Sequence, residues 1–409
     1  MTNGFADGKK LQELFLKLNP FDSDLCLKPE RDRATVLAAN VNFPFEVELA
    51  AFMEAASLDG GSPLLVQVSG AALTVAGRGL RASKEPPPDK SQRLLALRLG
   101  ARLLRDIADA YMEMYRPPLV GLGLDHFAVP SVRDVLFRDN EPSQPAQDAR
   151  SIKEIRDRLT EAVHSARASG VPEPSREDIA AWETYLSSDE YREALEGFVT
   201  AIRELKPAWA MIDTENLPPV LNFAVTREFA DAVDSLDPDI MLEAEYGATG
   251  KAGDRQGYVP LEGPKLATFA RQVAGFVKYT GARGISYPIG MEHAVPSGVR
   301  HEPDAVRLEE TQRAILKATG RYTPFAQHGG TGAKRVVRGL VGKNNVNTHF
   351  LVVGARCLAA YVNRNADDIA KGRKSVSGPV MHIAAGRAIM EAAVAKMKEC
   401  GTYGMYATL

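Results

Sequence analysis

Residues 118–126 read Pro-Leu-Val-Gly-Leu-Gly-Leu-Asp-His, and the way this run ends decides the fold. The apolar part has the length of a buried strand. It closes on an acid and an imidazole. The same plan recurs at Ile-Gly-Met-Glu-His (289–293) and at Gln-His-Gly-Gly-Thr-Gly (327–332). Three imidazoles at the ends of three strands can make an open metal site, because a catalytic zinc takes three protein ligands and leaves a position for water or substrate. His126, His293 and His328 are the candidate ligands. A lone histidine is more often a satisfied core or surface residue, and His164, His301, His349 and His382 are read that way. The glycines after His328 suit an anion, since backbone N–H groups need glycine for close approach.

Outward from these motifs, short apolar runs alternate with helical periodicity. Strands are predicted at 35–40, 63–69, 118–124, 208–213, 239–245, 284–289, 323–328 and 343–348. Helices are predicted at 46–58, 91–115, 225–236, 264–279 and 307–318, with two long helical patterns at 349–371 and 379–400. About eight βα units in series predict an α/β fold, a closed (β/α)8 TIM barrel occupying 1–409 as a single domain.

One connection breaks the rhythm. About 80 residues separate His126 from the next strand, and 151–206 is charged and helical. Residues 128–205 are read as a helical insertion in the β3–α3 connection. Leaving the barrel at His126, it is expected on the catalytic face, as a lid over the mouth or as an oligomer contact.

Composition sets the limits. The net charge of −2 gives no basic footprint and argues against nucleic acid. No stretch has the apolar length of a membrane span, and the first ten residues lack a signal-peptide core. Cys26, Cys357 and Cys400 are odd in number and far apart, which reads as reduced thiols in a cytoplasmic protein.

Seven motifs in order resemble the class II, zinc-dependent ketose-bisphosphate aldolases of the fructose and tagatose type. They are Asn-Val-Asn-Phe-Pro-Phe-Glu (40–46), Leu-Asp-His (124–126), Met-Ile-Asp-Thr-Glu-Asn-Leu-Pro (211–218), Leu-Glu-Ala-Glu-Tyr-Gly-Ala-Thr-Gly (242–250), the two histidine motifs 289–293 and 327–332, and Asn-Val-Asn-Thr (345–348). The resemblance implies a carbon–carbon lyase that reversibly cleaves a phosphorylated ketose. Fructose 1,6-bisphosphate, giving dihydroxyacetone phosphate and an aldehyde, is the default. It also implies one Zn2+ per chain, with room for a second metal or a monovalent cation, and a homo-oligomer, dimer or tetramer.

By the same resemblance Asp125 is the acid/base at the aldehyde-end hydroxyl, Asn345 contacts the reacting fragment, and Glu245 contacts the metal or a second metal position. Asn40 is a substrate-side residue. Phosphate binding falls to Ser69, Gly329, Gly330, Thr331, Gly332, Asn347 and Thr348. The chain also departs from the pattern. Its loop 251–257 carries Gly253 where the family has a proton-abstracting Glu, so Asp254 is the first candidate base and Glu292 the second. Tyr246, Tyr258 and Tyr287 are expected near the mouth. Two alternatives stay open: a related lyase acting on another sugar phosphate, and an inactive metal- and phosphate-binding regulatory protein.

Overall fold

The computed structural model describes residues 4–79, 89–136, 152–247, 258–292 and 299–408. Eight parallel strands close in sequence order into a barrel, β1 pairing with β8. They are β1 (Val36–Asn40), β2 (Leu64–Ser69), β3 (Val120–Ala128), β4 (Trp209–Asp213), β5 (Met241–Glu245), β6 (Gly284–Ser286), β7 (Phe325–Gln327) and β8 (Val341–Val346). All eight begin within two residues of the sequence expectation. The outer helices are α1 (Gly8–Lys17), α2 (Glu46–Ser57), α3 (Gly70–Arg78), α4 (Lys90–Tyr115), α5 (Val132–Leu136), α6 (Ile152–Ala168), α7 (Arg176–Ser187), α8 (Asp189–Leu205), α9 (Pro219–Leu236), α10 (Gly263–Thr280), α11 (Ala305–Thr319), α12 (Thr348–Arg364), α13 (Ala366–Ala370) and α14 (Pro379–Cys400).

Two of these helices were not anticipated. In α1, Asp7 caps the first turn by accepting from Lys10 N, and Leu11, Leu14 and Phe15 fall on one buried face. That spacing is a helical stripe. The stripe plugs the N-terminal end of the barrel, where Leu14 and Phe15 join Val36, Ala38, Leu65, Trp209 and Met241 in one cluster. The second unanticipated helix, α3, is capped by Ser69, whose hydroxyl accepts from Ala72 N at 3.2 Å.

The connection after β3 differs from its expected form. Residue 128 still belongs to β3. Helix α8 lies against α4, β3 and α9, which is the place of a barrel helix. Helix α6 packs on α9 and α10, and Arg158 reaches Asp231 of α9 at 3.1 Å. Helix α7 packs on α5, α6 and α8. The described helices therefore clad the outer wall. Residues 137–151, the remaining part of the expected lid, lie outside the described residues.

The barrel interior is layered. Above the apolar plug lies a polar layer made by Gln67, Glu243 and Lys343, each at most 1% exposed. Above it, at the C-terminal strand ends where barrel enzymes keep their sites, lie Asn40, Asp125, His126, Asp213, Glu245, His328 and Asn345. No helix of the described residues is long and apolar enough to cross a membrane, and the three cysteines are free thiols.

Candidate metal centre and active site

Strand β3 shapes the site through an irregularity. Leu124 pairs with Ala210 and Phe127 with Ile212, so β3 spends one residue more than β4 over this interval. Such a bulge re-aims side chains that would otherwise alternate between the two faces. His126, inside the bulge, has φ +43°. A non-glycine residue rarely adopts that conformation, and it clusters at functional sites. As a result both Asp125 and His126 face one cavity.

That cavity, about 250 Å³, is lined by Asn40, Asp125, His126, Glu292, His328, Gly329, Gly330, Thr331, Gly332, Asn345, Asn347 and Thr348. All twelve of these residues were expected at the site from sequence, Glu292 as the second candidate base. Ser69 is not among them, because its hydroxyl is engaged at the N-terminus of α3. Glu245 is fully buried just below, close enough to Asp213 and His126 to feel both charges. His293 and Asp254 lie outside the described residues. The three tyrosines do not line the cavity. Tyr258 donates to Asp304 at 2.7 Å, Tyr246 to Gln272 at 3.5 Å and Tyr287 to the Leu308 carbonyl at 3.5 Å, all on the helix side.

The two histidines are held from behind. His328 Nε2 donates to Glu243 Oε1 at 2.8 Å, which leaves Nδ1 to face His126 Nε2 at 2.9 Å. His126 Nδ1 lies 3.4 Å from Asp213. Burial works against a charged His126 ring, but Asp125, Asp213 and Glu245 outweigh it and push its pKa up to about 9. The site thus favours a positive charge at the point where the two ring nitrogens meet. Asp213 is lowered against the pull of burial by His126.

These residues fit a divalent cation. One donor atom each from Asp125, His126 and His328 lies within 4.8 Å of the others. Glu245 Oε2 is buried without a hydrogen-bond partner, and burial followed by the neighbouring Asp213 raises its pKa well above the usual carboxylate value. No lysine or arginine lines the cavity among the described residues. Imidazole nitrogens with carboxylate oxygens suit zinc and its first-row neighbours.

Asp125 is fixed by two amides. Asn40 Nδ2 donates to Oδ2 at 2.8 Å and Asn345 Nδ2 to Oδ1 at 3.2 Å. The far side of the cavity is the glycine turn and the N-terminus of α12. Gly329 has φ +68°, and the 3-10 turn Gly330–Gly332 follows. Thr331 Oγ1 accepts from His349 N at 3.2 Å. A helix N-terminus with glycine N–H groups beside it attracts anions.

Gly330 has a packing reason to be glycine. A Cβ there would lie 2.2 Å from Asn344 Oδ1 and 2.5 Å from the Asn345 carbonyl. Gly329 is likewise pressed against the Glu292 backbone. Substitution at either position would distort β8 or the Glu292 segment before it touched an anion.

Sequence reading missed the pairing of Glu292, its second candidate base, with His301, and it missed Gln67 and Lys343. His301 Nε2 lies 3.0 Å from Glu292 Oε2, both side chains buried, so His301 is not an ordinary surface histidine. No spacing signal marks that pair. Lys334 and Arg335 point to solvent and pair with Glu302.

The model of the fructose-bisphosphate aldolase class-II family matches residues 189–405, just over half of the chain. The chain belongs to that family. Among solved structures it is similar to fructose-bisphosphate aldolase (Fba) from Campylobacter jejuni, at 15% identity and TM-score 0.62, covering 98% of this chain and 96% of that one. It is also similar to the YdjI aldolase from Escherichia coli K12, at 15% identity and TM-score 0.49, covering 92% and 95%. No curated protein matches the sequence.

Proposed function

We propose that the protein reversibly cleaves a phosphorylated ketose by metal-assisted aldol chemistry. The observation that carries this reading is the convergence of Asp125, His126, His328 and Asn345 with the α12 N-terminus on one cavity. Fructose 1,6-bisphosphate, giving dihydroxyacetone phosphate and an aldehyde, is the default substrate.

His126 and His328, with His293 as the third ligand from sequence, would hold one zinc ion. Bound there, the ion supplies a Lewis acid that polarises the ketose carbonyl. The remaining steps belong to side chains. Asp125, held by Asn40 and Asn345, takes the proton from the hydroxyl on the carbon beyond the breaking bond. The C–C bond breaks as the aldehyde forms, and the electron pair stays on the three-carbon fragment. That carbon then needs a proton. Asp254 is the first candidate donor and Glu292, which lines the cavity, the second. The glycine turn and α12 hold the phosphate, as loops seven and eight do in many barrels. Glu245 supports the metal. The same metal and proton logic serves a related sugar phosphate, and Gly253 in place of the family's proton-abstracting Glu favours one other than fructose 1,6-bisphosphate.

The test is a retro-aldol screen over ketose mono- and bisphosphates, with triose phosphate detected by a coupled assay, with and without a chelator. Chelator-sensitive cleavage of at least one panel member is expected. Zinc-replete protein that cleaves none of them would overturn the reading and favour a regulatory binding protein.

A further inference from the structure

Lys343 of β8 is fully buried inside the barrel. Its Nζ lies 2.6 Å from Glu243 Oε2, donates to Gln67 Oε1 at 3.1 Å, and sits 4.8 Å from the centre of the Trp209 ring. An ammonium group has three donors and no acceptor. That asymmetry fixes the direction of the amide bonds that run away from it through Gln67, while its other partner, the Glu243 carboxylate, accepts on both oxygens.

Two arms leave Lys343. On one, Gln67 Oε1 accepts, so its Nε2 donates to Asn40 Oδ1 at 2.7 Å. Asn40 Oδ1 is thereby occupied, and its Nδ2 must be the end presented to Asp125 Oδ2 at 2.8 Å. With Asn345 on Oδ1, both Asp125 oxygens accept. On the other arm, Glu243 Oε2 accepts from Lys343 and from Trp209 Nε1 at 2.6 Å. Its Oε1 then accepts from His328 Nε2–H at 2.8 Å, which frees Nδ1 to face His126.

We infer that Lys343 is a positioning residue that, paired with Glu243, sets the tautomer of the metal-facing His328 and, through Gln67, sets the amide orientation that keeps Asp125 an acceptor. Without the ammonium both amides can turn over. Asn40 could then present its oxygen to Asp125, which would have to carry a proton to accommodate it. The role of Asp125 in this inference rests on the aldol reading above, whereas the His328 arm does not.

The experiment uses full-length, zinc-loaded protein. Lys343→Met is expected to weaken zinc retention against a chromogenic chelator by roughly 10–100-fold, the range for losing an outer partner of a ligand histidine. It should also lower kcat with little change in KM. Because Lys343→Met strands a buried carboxylate, the charge-balanced Lys343→Met/Glu243→Gln double variant is made beside it. It should fold and still lose zinc affinity, because an amide can face His328 with either end. Gln67→Leu cuts only the Asp125 arm. It should keep zinc affinity within about threefold, well below the change expected from a lost ligand partner, and lose kcat.

In 15N-histidine NMR of the zinc-free protein, His328 should be the Nε2–H tautomer in the wild type and a mixture in the double variant. A folded double variant with wild-type zinc affinity and a pure tautomer overturns the His328 arm. Gln67→Leu with wild-type kcat overturns the Asp125 arm. A wild type that cleaves no ketose phosphate would fail the aldol reading instead, and the zinc and NMR results would still decide the His328 arm.

Discussion

Glu243 and Glu245 stand two residues apart on the same strand, both fully buried, yet they belong to different regions and hold their protons oppositely. In the middle layer, burial works to raise the Glu243 pKa, but Lys343 and His328 bring it down to about 2. In the upper layer, burial and Asp213 push Glu245 well above the usual range. The middle layer carries its own counter-ion. The upper layer gathers Asp125, Asp213 and Glu245 around two histidines and needs positive charge from outside. The difference separates the scaffold of the site from its binding surface. A buried charge that is paired reports on construction, and an acid that lacks a cation reports on what is to be bound.

The largest expected effect tests the upper layer. Asp125→Asn should leave fold and zinc content intact and lower kcat by roughly 10²–10⁴-fold, the range for removing a general acid/base. Turnover near wild type would reduce Asp125 to a support for His126.

The same substitution on the two glutamates should then give opposite signs in zinc-free protein at pH 7. Glu243→Gln leaves Lys343 buried without its carboxylate and should cost about 3–5 kcal/mol. Glu245→Gln removes a carboxyl whose folded pKa is raised, so ionising it costs the folded state at any pH above the unfolded value of 4.5. It should gain roughly 1 kcal/mol, a typical size for a single substitution. Chemical denaturation of both variants checks this, and equal losses would erase the distinction between the layers.

The smallest effect concerns a third buried carboxyl, outside both layers. Glu48 accepts from Asn42 N at 2.6 Å, yet burial raises it to about 7. The folded protein binds this proton more tightly than the unfolded chain. Its contribution is therefore fully present below about pH 4.5 and lost as pH rises through 7. Glu48→Gln should leave stability unchanged at pH 4.5 and raise it by about 1–3 kcal/mol at pH 8. A gain of the same size at both pH values would mean that titration is not the cause.

Much of this was legible in the sequence. Strand starts follow from apolar runs, and His126, His328 and Asp125 announce themselves as polar residues at strand ends. Lys343 does not. In Val-Gly-Lys-Asn-Asn-Val a lysine reads as a solvent-facing interruption, and only closure of the barrel turns it toward Glu243. Gly330 was legible as a tight approach, but not as an approach to β8. Helix α1 carried a readable stripe, yet its partner surface, the barrel floor, exists only in three dimensions. The outer-wall position of α6 depends on α9 and α10, elements distant in sequence.

The extra residue in β3 also bears on how this site can change over time. Along a regular strand, neighbouring residues serve opposite faces, so two adjacent functional groups cannot share a cavity. Here Asp125 and His126 share one because Leu124–Phe127 spans what Ala210–Ile212 spans with one residue fewer. Losing a single codon in that interval would restore a regular strand and send one of the two groups outward. Point substitutions can tune this centre one side chain at a time, whereas a one-residue deletion in β3 would dismantle it in a single event.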